Sequence, residues 1–482
     1  MTSKTAAGQA EVLARNSLGL AHIVFFVVAA AAPLTAVVGA TPVAFAFGNG
    51  PGVAGAFLLA GVMYLLFSVG FTAMSRHVRG AGAFYTYIVQ GLGRPVGVGA
   101  AMIILLAYNA VQLGIYALFG VFVAAALEPL GIDLPWWVSS IAGIAIVTAL
   151  GRRNIAFSGR VLGLCLVAEV LILLLLGVGI LLRGGGPEGL SLDVFAPSTV
   201  FTAGLGATLV FVIGSYIGFE ATAIFAEEAK EPRRTIPRAT YAAVGLITVF
   251  YAFSTWAIAQ YYGPSQVAAA AQSGLEEFYF TASADILGPW SVPTMSILLI
   301  VSLFACVLSF HNTISRYFFA LGREGVLASA LSRVHPLHRS PHVAGLAQSG
   351  LVGSVLLIMA LAGLDPYGVI FSLMSVITVL GVLTVQALVS LAVIQFFRTL
   401  PAGERPGVFA ALFAPALSVL CLGGAVGLVI SNIEFLSGTE SPIVQTFPLL
   451  IAVVGIGGAL FANWLRSNRP VLYARLGRAL EQ

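Results

Sequence analysis

Long apolar segments alternate with short polar connections along the whole chain. They lie near 21–47, 52–74, 95–127, 136–150, 158–182, 203–226, 238–262, 287–312, 343–363, 367–397, 408–431 and 446–465. A helix needs about 20 apolar residues to cross a hydrocarbon core about 30 Å thick. The pattern therefore predicts an all-α integral membrane protein with about twelve transmembrane helices.

The first and the sixth apolar segments are interrupted by residues that helices disfavour. The first contains Pro33, Gly39 and Pro42, and the sixth contains Gly214 and Gly218. A broken helix in a bilayer leaves backbone groups unpaired, so the break must be surrounded by protein or line a water-filled cavity. Two such breaks, one in each half of the chain, predict an inverted-repeat secondary transporter whose substrate binds near the midplane.

Composition and charge agree with a membrane protein and give it an orientation. Charged residues make up 9% of the chain and hydrophobic residues 59%, against roughly 25% and 45–50% in soluble domains. On the predicted topology the basic residues fall on one side, and only Arg183 lies in a predicted outside loop. The positive-inside rule then predicts a multi-pass protein of the cytoplasmic (inner) membrane, with its N-terminus (1–20) and tail (466–482) both in the cytoplasm.

The sequence argues against several classes of chemistry. Neither Lys4 nor Lys230 ends a phosphate-binding loop, and neither H-E-x-x-H nor G-x-S-x-G occurs. Cys165, Cys306 and Cys421 lie in predicted spans at no metal-like spacing. We therefore expect no enzyme activity, no cofactor and no metal, and transport driven by an ion gradient or by exchange.

Two glutamates inside predicted spans are the candidates for proton coupling. Glu169 lies in the middle of the fifth span and Glu220 follows the break in the sixth. Inserting a carboxylate at a helix centre costs about 2.5–3.5 kcal/mol, and such residues are functional by default. Desolvation disfavours the charged form, so a proton can bind and leave. The alternative is structural: an inter-helix hydrogen bond for Glu169, or a cap of the half-helix for Glu220.

The two breaks also predict where a substrate binds. Half-helix N-termini suit a carboxylate and half-helix C-termini suit an ammonium, and an α-amino acid carries both. The predicted substrate-binding residues on the breaks are Ala32, Pro33, Leu34, Thr35, Ala36, Val37, Ile213, Gly214, Ser215, Tyr216 and Ile217. Polar or aromatic residues of spans three and eight extend the set: Tyr108 and Phe310, with Asn109, Gln112, His311 and Asn312 as further candidates. Helix kinks and close helix packing are the alternative explanation of the breaks.

The sequence FVIGSYIGFEATAIFAEEAKEPRRTIPRA resembles the sixth-span signature of the amino acid, polyamine and organocation transporter superfamily. The stretches GAGAFYTYIVQGLGRPVG and SRYFFALGREGVLASALSRVHPLHRSPHV resemble its connections between spans two and three and between spans eight and nine. The resemblance implies one transporter domain, 1–482, with a five-plus-five inverted repeat: 21–182 against 203–397, and two added helices in 408–465. It also implies transport of amino acids or amines, with the substrate carboxylate at the first break and its amino group at the carbonyls of the second.

The chain departs from this family pattern at three places. Ala32-Pro33-Leu34-Thr35 replaces a glycine-rich sequence at the first break, Glu169 stands where many relatives carry a lysine, and Gly214 stands where some exchangers carry a tryptophan. The open space at Gly214 favours a substrate with a bulky side chain. We predict a proton-coupled amino acid importer; an amine or polyamine carrier, an exchanger and a sodium-coupled symporter are the alternatives. Small residues in the last two spans fit a dimer and internal packing equally.

Overall fold

The computed structural model describes residues 19–78, 83–153, 159–220, 222, 229–434 and 442–477, and these are helical apart from connections and isolated bridge residues such as the pair Gly186 and Gly189. Within these ranges nine helices are long and apolar enough to cross a membrane: Gly50–Ser75, Arg94–Leu130, Gly163–Leu182, Pro232–Tyr262, Ser291–Arg323, His342–Leu361, Pro366–Thr399, Phe409–Ser431 and Phe447–Asn468. Three shorter apolar helices, Thr35–Phe47, Trp136–Arg152 and Leu205–Gly214, fall in the first, fourth and sixth predicted spans. The prediction of an all-helical membrane protein is confirmed.

The α-helices of more than four residues are α1 Leu20–Ala30, α2 Thr41–Phe47, α3 Val53–Ser75, α4 Ala83–Leu92, α5 Arg94–Leu127, α6 Trp136–Arg152, α7 Gly159–Leu182, α8 Leu205–Gly214, α9 Pro232–Tyr262, α10 Val267–Ser273, α11 Phe278–Leu287, α12 Ser291–Arg323, α13 His342–Leu361, α14 Ser372–Thr399, α15 Ala414–Ser431, α16 Phe447–Asn468 and α17 Pro470–Arg475. Segments of π-helix, Thr35–Ala40, Pro366–Phe371 and Phe409–Phe413, precede α2, α14 and α15. Such segments are often found at functional sites.

The first break lies between the end of α1 and the π-helix before α2. Ala32 has φ of 46°, a left-handed conformation that side chains with a Cβ rarely adopt, and Pro33 follows it. Backbone groups that the break leaves without helical partners form hydrogen bonds with side chains of other helices. The N–H of Leu34 donates to Oε2 of Glu169 at 3.2 Å, and the hydroxyl of Tyr251 donates to the carbonyl of Ala31 at 3.2 Å. The break is thus built into the core.

The second break follows α8 directly. The helix ends at Gly214, and residues 215–218 form a turn in which Gly218 has φ of 114°. A glycine suits this position because a Cβ would be strained there. Residues 221 and 223–228, which complete the predicted sixth span and its signature, lie outside the described residues, as do residues 1–18 of the predicted cytoplasmic N-terminus.

The structure differs from the predicted spans at the polar ends and connections. The eighth span does not end at 312, because α12 continues to Arg323 and buries Ser315 after the polar pair His311 and Asn312. No glycine or proline lies between 313 and 321, so nothing in that stretch ends the helix. The predicted connections also contain helices: α4 lies between spans two and three, and α10 and α11 lie between spans seven and eight.

Helix α5 lies at the centre of the bundle and packs against α6, α12, α14 and α16, while α3 packs against α9. Small residues allow these close contacts. A Cβ on Gly91 would meet the backbone of Ala392, and one on Gly99 would lie 2.5 Å from the carbonyl oxygen of Gly455. Small residues at helix contacts are the usual device for tight packing in membranes. This packing brings the two breaks against α5, α12 and α14.

Candidate substrate site

A cavity of about 60 Å³ lies between the two breaks. It is lined by Ala31, Ala32, Thr35, Ala36, Ala40, Val111, Ile115, Val210, Phe211, Gly214, Ser215, Ile217, Cys306, Phe310, Phe371, Ser375, Thr378 and Val379. One water molecule needs about 10–15 Å³ of cavity volume, so the cavity has space for only a few waters. The space available has to widen before a larger molecule enters.

The cavity combines polar helix ends with apolar walls. The break before α2 contributes Thr35 and Ala36, and the C-terminal end of α8 contributes Gly214 and Ser215. Phe211 and Phe371 meet across one wall with ring centroids 5.7 Å apart. A helix start favours negative charge and a helix end favours positive charge. The arrangement therefore offers complementary groups to a zwitterion and an apolar surface to its side chain.

Glu169 is buried behind the first break, with 4% of its surface exposed. Its Oε2 accepts a hydrogen bond from the N–H of Leu34 at 3.2 Å and from Oγ of Ser302 at 3.0 Å. Ser302 in turn accepts a hydrogen bond from Oγ1 of Thr35 at 3.1 Å. Because Thr35 lines the cavity, an unbroken chain of hydrogen bonds links the cavity wall to the carboxyl group.

Glu220 is buried behind the second break, with 6% of its surface exposed. Its Oε2 accepts a hydrogen bond from the N–H of Gly218 at 2.9 Å, which fixes the turn, and its Oε1 accepts one from the hydroxyl of Tyr108 at 3.0 Å. The ring of Tyr108 also meets Phe310 edge-on, with centroids 5.6 Å apart. Glu220 thus ties the second break to α5.

The structure divides the predicted substrate-binding residues into two groups. Seven of them line the cavity: Ala32, Thr35, Ala36, Gly214, Ser215, Ile217 and Phe310. The other six, Pro33, Leu34, Val37, Tyr108, Ile213 and Tyr216, are not among its lining residues. Tyr216, for example, turns away and donates to the carbonyl of Phe57 at 3.0 Å. On a helical backbone a continuous run of residues cannot all face one cavity.

Sequence reasoning missed the contribution of α14 and the π-helix before it. Phe371, Ser375, Thr378 and Val379 all line the cavity. Ser375 and Thr378 are three positions apart, so their hydroxyl groups lie on the same face of α14. That spacing of polar residues in an apolar span was the available signal. Ser302, the partner of Glu169, gave only the weaker signal of one serine in an apolar segment.

Comparison with known proteins identifies the family. A family model described as amino acid permease matches residues 18–456. The chain belongs to the amino acid permease family. This confirms the resemblance to the amino acid, polyamine and organocation transporters. The protein is therefore a multi-pass membrane permease with a small-molecule substrate.

Relatives of this permease carry several different substrates. It is 27% identical over 411 residues to the branched-chain amino acid permease BcaP of Bacillus subtilis, covering 77% of this chain and 80% of that protein. It is 24% identical over 401 residues to the methylthioribose transporter of the same organism, covering 78% and 80%. It is 25% identical over 293 residues to the low-affinity putrescine importer PlaP of Escherichia coli, covering 58% and 62%.

Proposed function

We propose that this permease imports an α-amino acid with an apolar, bulky side chain by proton-coupled symport. The observation that carries the proposal is the cavity between the two breaks, which joins helix ends of opposite polarity to apolar walls. The substrate carboxylate binds at the start of the π-helix before α2, and its ammonium binds at the end of α8. Similarity to the branched-chain amino acid permease supports an apolar side chain.

The proposed coupling residue is Glu169. When it is ionised, its carboxylate holds the N–H of Leu34 and orients Ser302, which in turn accepts from Thr35 at the cavity wall. Protonation weakens these bonds, because a neutral carboxyl group accepts hydrogen bonds less strongly than a carboxylate. A proton on Glu169 thereby changes the first break and the substrate site together. The two halves, 21–182 and 203–397, then move as an inverted repeat in alternating access.

An amine substrate is the second candidate, because the putrescine importer is also a relative. Recognition of a second ammonium would need a carboxylate, and no described residue that lines the cavity is acidic. Glu220 lies nearby but is occupied by Tyr108 and Gly218. The geometry thus favours the amino acid.

The test is uptake of radiolabelled leucine, alanine and putrescine into proteoliposomes. The vesicles carry an inward proton gradient, an inward sodium gradient, or unlabelled substrate preloaded inside. We expect accumulation of leucine with the proton gradient. Accumulation with sodium alone would assign the coupling to sodium, signal only after preloading would make the protein an exchanger, and uptake of putrescine alone would replace the amino acid by an amine.

We predict that Glu169→Gln loses proton-driven accumulation, which falls to the level of vesicles treated with a protonophore, while exchange of preloaded substrate continues. Glutamine keeps an oxygen that accepts from Leu34 and Ser302, so the break is retained and only the titration is lost. Glu188→Gln is the matched control, since Glu188 lies in an exposed connection and binds Ser265. Unchanged accumulation by Glu169→Gln would remove Glu169 from the coupling mechanism.

A further inference from the structure

Two adjoining cavities lie at one end of the bundle, away from the substrate cavity. We call this the basic end; it comprises the C-terminal end of α6, the last turns of α12, and the connection from α12 to α13. The larger cavity has a volume of about 570 Å³ and the smaller one about 20 Å³. They share Thr148, Arg152 and Leu346 in their walls. Together they form one recess, which we call the basic pocket.

The walls of the basic pocket carry positive charge from several parts of the chain. The permanent charges are those of Arg152, Arg153 and Arg316, and the side chains that become positive when protonated are His335 and His338 around the larger cavity and His311 and His342 around the smaller one. None of the described residues that line either cavity is a carboxylate. Clustered cations without opposing charge create a positive potential that attracts an anion.

The floor of the basic pocket offers unpaired polar atoms. Ser315 is 3% exposed and lines the smaller cavity, and its Oγ is buried without a hydrogen-bond partner. Nδ1 of His342 is likewise buried without one. Buried polar groups without partners are unusual, and a bound ion or water is one explanation of them. The first turn of α13, from His342 to Gly345, also lines this cavity, and the positive end of its helix dipole lies there.

We propose that the basic pocket binds a phosphate group, carried either by a lipid headgroup or by a soluble phosphate ester. The smaller cavity has about the volume that one water-sized atom needs, so it holds one phosphate oxygen against Ser315. The rest of the group lies in the larger cavity beside Arg152, which lines both cavities, and Arg316 reaches the bound oxygen from the wall of the smaller one. Arginine suits this role because its planar guanidinium binds phosphate oxygens in pairs.

The histidines give the pocket a pH dependence that serves as a second readout. Desolvation lowers the pKa of His335, and the positive charges of His338, Arg152 and His342 lower it further. An anion in the pocket opposes that repulsion and favours the protonated ring. Because His335 then takes up a proton on binding, its contribution to the affinity grows as the pH falls below neutrality and past the ordinary histidine pKa of about 6.5, whereas protonation of the phosphate itself, at about pH 6, acts in the opposite direction.

The experiment measures equilibrium binding to the purified full-length protein in a neutral detergent, with no transport assay. The probes are inorganic phosphate, dioctanoyl phosphatidic acid and, as a zwitterionic comparison, dioctanoyl phosphatidylcholine. The variants are the double substitution Arg152→Gln with Arg316→Gln, and the charge-conserving pair Arg152→Lys with Arg316→Lys. Arg398→Gln is the matched control, since Arg398 is an exposed arginine in the last turn of α14 and lines neither cavity.

We expect the affinity of the double glutamine variant for phosphatidic acid to fall about tenfold or more. A loss of this size corresponds to about one charge-assisted hydrogen bond. The lysine pair should recover part of it, and Arg398→Gln should bind as the unchanged protein does. On the unchanged protein, inorganic phosphate should displace bound phosphatidic acid if both bind in the basic pocket, and this measurement needs no variant. Binding of inorganic phosphate without the lipid would assign a soluble ester as the source.

Two results would overturn the proposal. One is an equal loss of affinity in Arg398→Gln and in the double glutamine variant, which would reduce the effect to the general positive charge of the protein. The other is that neither probe binds the unchanged protein at pH 7 or at pH 6. Neither result bears on the proposed amino acid transport, because substrate and gradient are absent from the measurement.

Discussion

At the scale of single residues, Gly214 is the best position for changing the size of the candidate substrate cavity. A Cβ built on it would meet only Cγ2 of Val379, at 3.9 Å, and it would point into the cavity. We predict that Gly214→Ala keeps the fold and that Gly214→Val raises KM for leucine more than for alanine. The larger side chain fills the space that the bulkier substrate uses. Competition of unlabelled amino acids against a labelled substrate measures this order.

The control for Gly214 is Gly206, eight residues earlier on the same helix. A Cβ there would collide with the backbone carbonyl of Leu428 on α15. Gly206→Ala should therefore lower the thermal midpoint and reduce uptake of all substrates in the same proportion. Equal loss of large and small substrates in Gly214→Val would contradict its place in the side-chain pocket.

The sequence was sufficient to select Glu169 and Glu220 as candidates for proton coupling, because an acidic residue in an apolar span is conspicuous. It was not sufficient to find their partners. Ser302 is 133 positions from Glu169, and the other donor is the backbone N–H of Leu34, 135 positions away. Backbone groups have no sequence signature, and only the folded break shows which N–H is left without a helical partner.

At the scale of elements, a buried polar network joins α5, α12 and α13. The side-chain amide of Gln348 donates to Oε1 of Gln112, whose own amide donates to the carbonyl of Val307 at 3.0 Å. Nδ1 of His311 lies 2.7 Å from Oε1 of Gln348. Gln112 and Gln348 are fully buried. The network connects the basic pocket, through His311, to the helix positions next to the substrate cavity.

We predict that Gln112→Leu and Gln348→Leu each destabilise the protein by about 1–3 kcal/mol, because each leaves a buried amide without its partner. The double variant should lose less than the sum, since both polar groups are then gone. Thermal unfolding in detergent measures the three variants. Hydrogen bonds between membrane helices give coupling energies of about 0.6 kcal/mol on average and about 1.7 kcal/mol at most in such cycles, so we expect the coupling of Gln112 and Gln348 to lie in that range.

The control for this cycle pairs Gln112→Leu with Gln272→Leu. Gln272 donates to the carbonyl of Ala46 at 2.7 Å and has no contact with the network. These two effects should add. If Gln112→Leu and Gln348→Leu also added, the two amides would not be coupled.

The elements themselves were largely predictable, and the exceptions have a physical reason. Each predicted span contains a helix because apolar length is the main requirement for crossing a bilayer. Helices α10 and α11 were missed because they are short helices in a connection and do not need the apolar length that crosses a bilayer. The end of α12 was placed too early because buried polar residues such as Ser315 resemble an exposed terminus in the sequence.

At the scale of the whole molecule, the breaks of the first and sixth spans lie against the same cavity although they are far apart in the chain. Thr35 and Gly214 both line it. The sequence predicted that the two breaks would form one site, whereas the wall supplied by α14 depends on how the helices pack. Opposite walls supplied by distant parts of the chain are what alternating access requires, since each wall can move separately.

Native Cys306 offers a test of the proposed opening of the cavity. It lines the cavity and is 8% exposed, and the cavity of about 60 Å³ is too narrow for a maleimide reagent. In a variant with Cys165→Ala and Cys421→Ala, we predict slow labelling of Cys306 by N-ethylmaleimide, at the rate at which the cavity opens. Bound leucine should slow the labelling further, because it occupies the same space.

The reciprocal variant, which keeps only Cys421, supplies the control. Cys421 lies on α15, is partly exposed and does not line the cavity, so leucine should leave its labelling rate unchanged. The Glu169→Gln protein should still show protection of Cys306, because substitution of the proposed coupling residue leaves the cavity walls in place. Labelling of Cys306 at the same rate with and without leucine would mean that the substrate binds elsewhere, whatever the ion that drives its uptake.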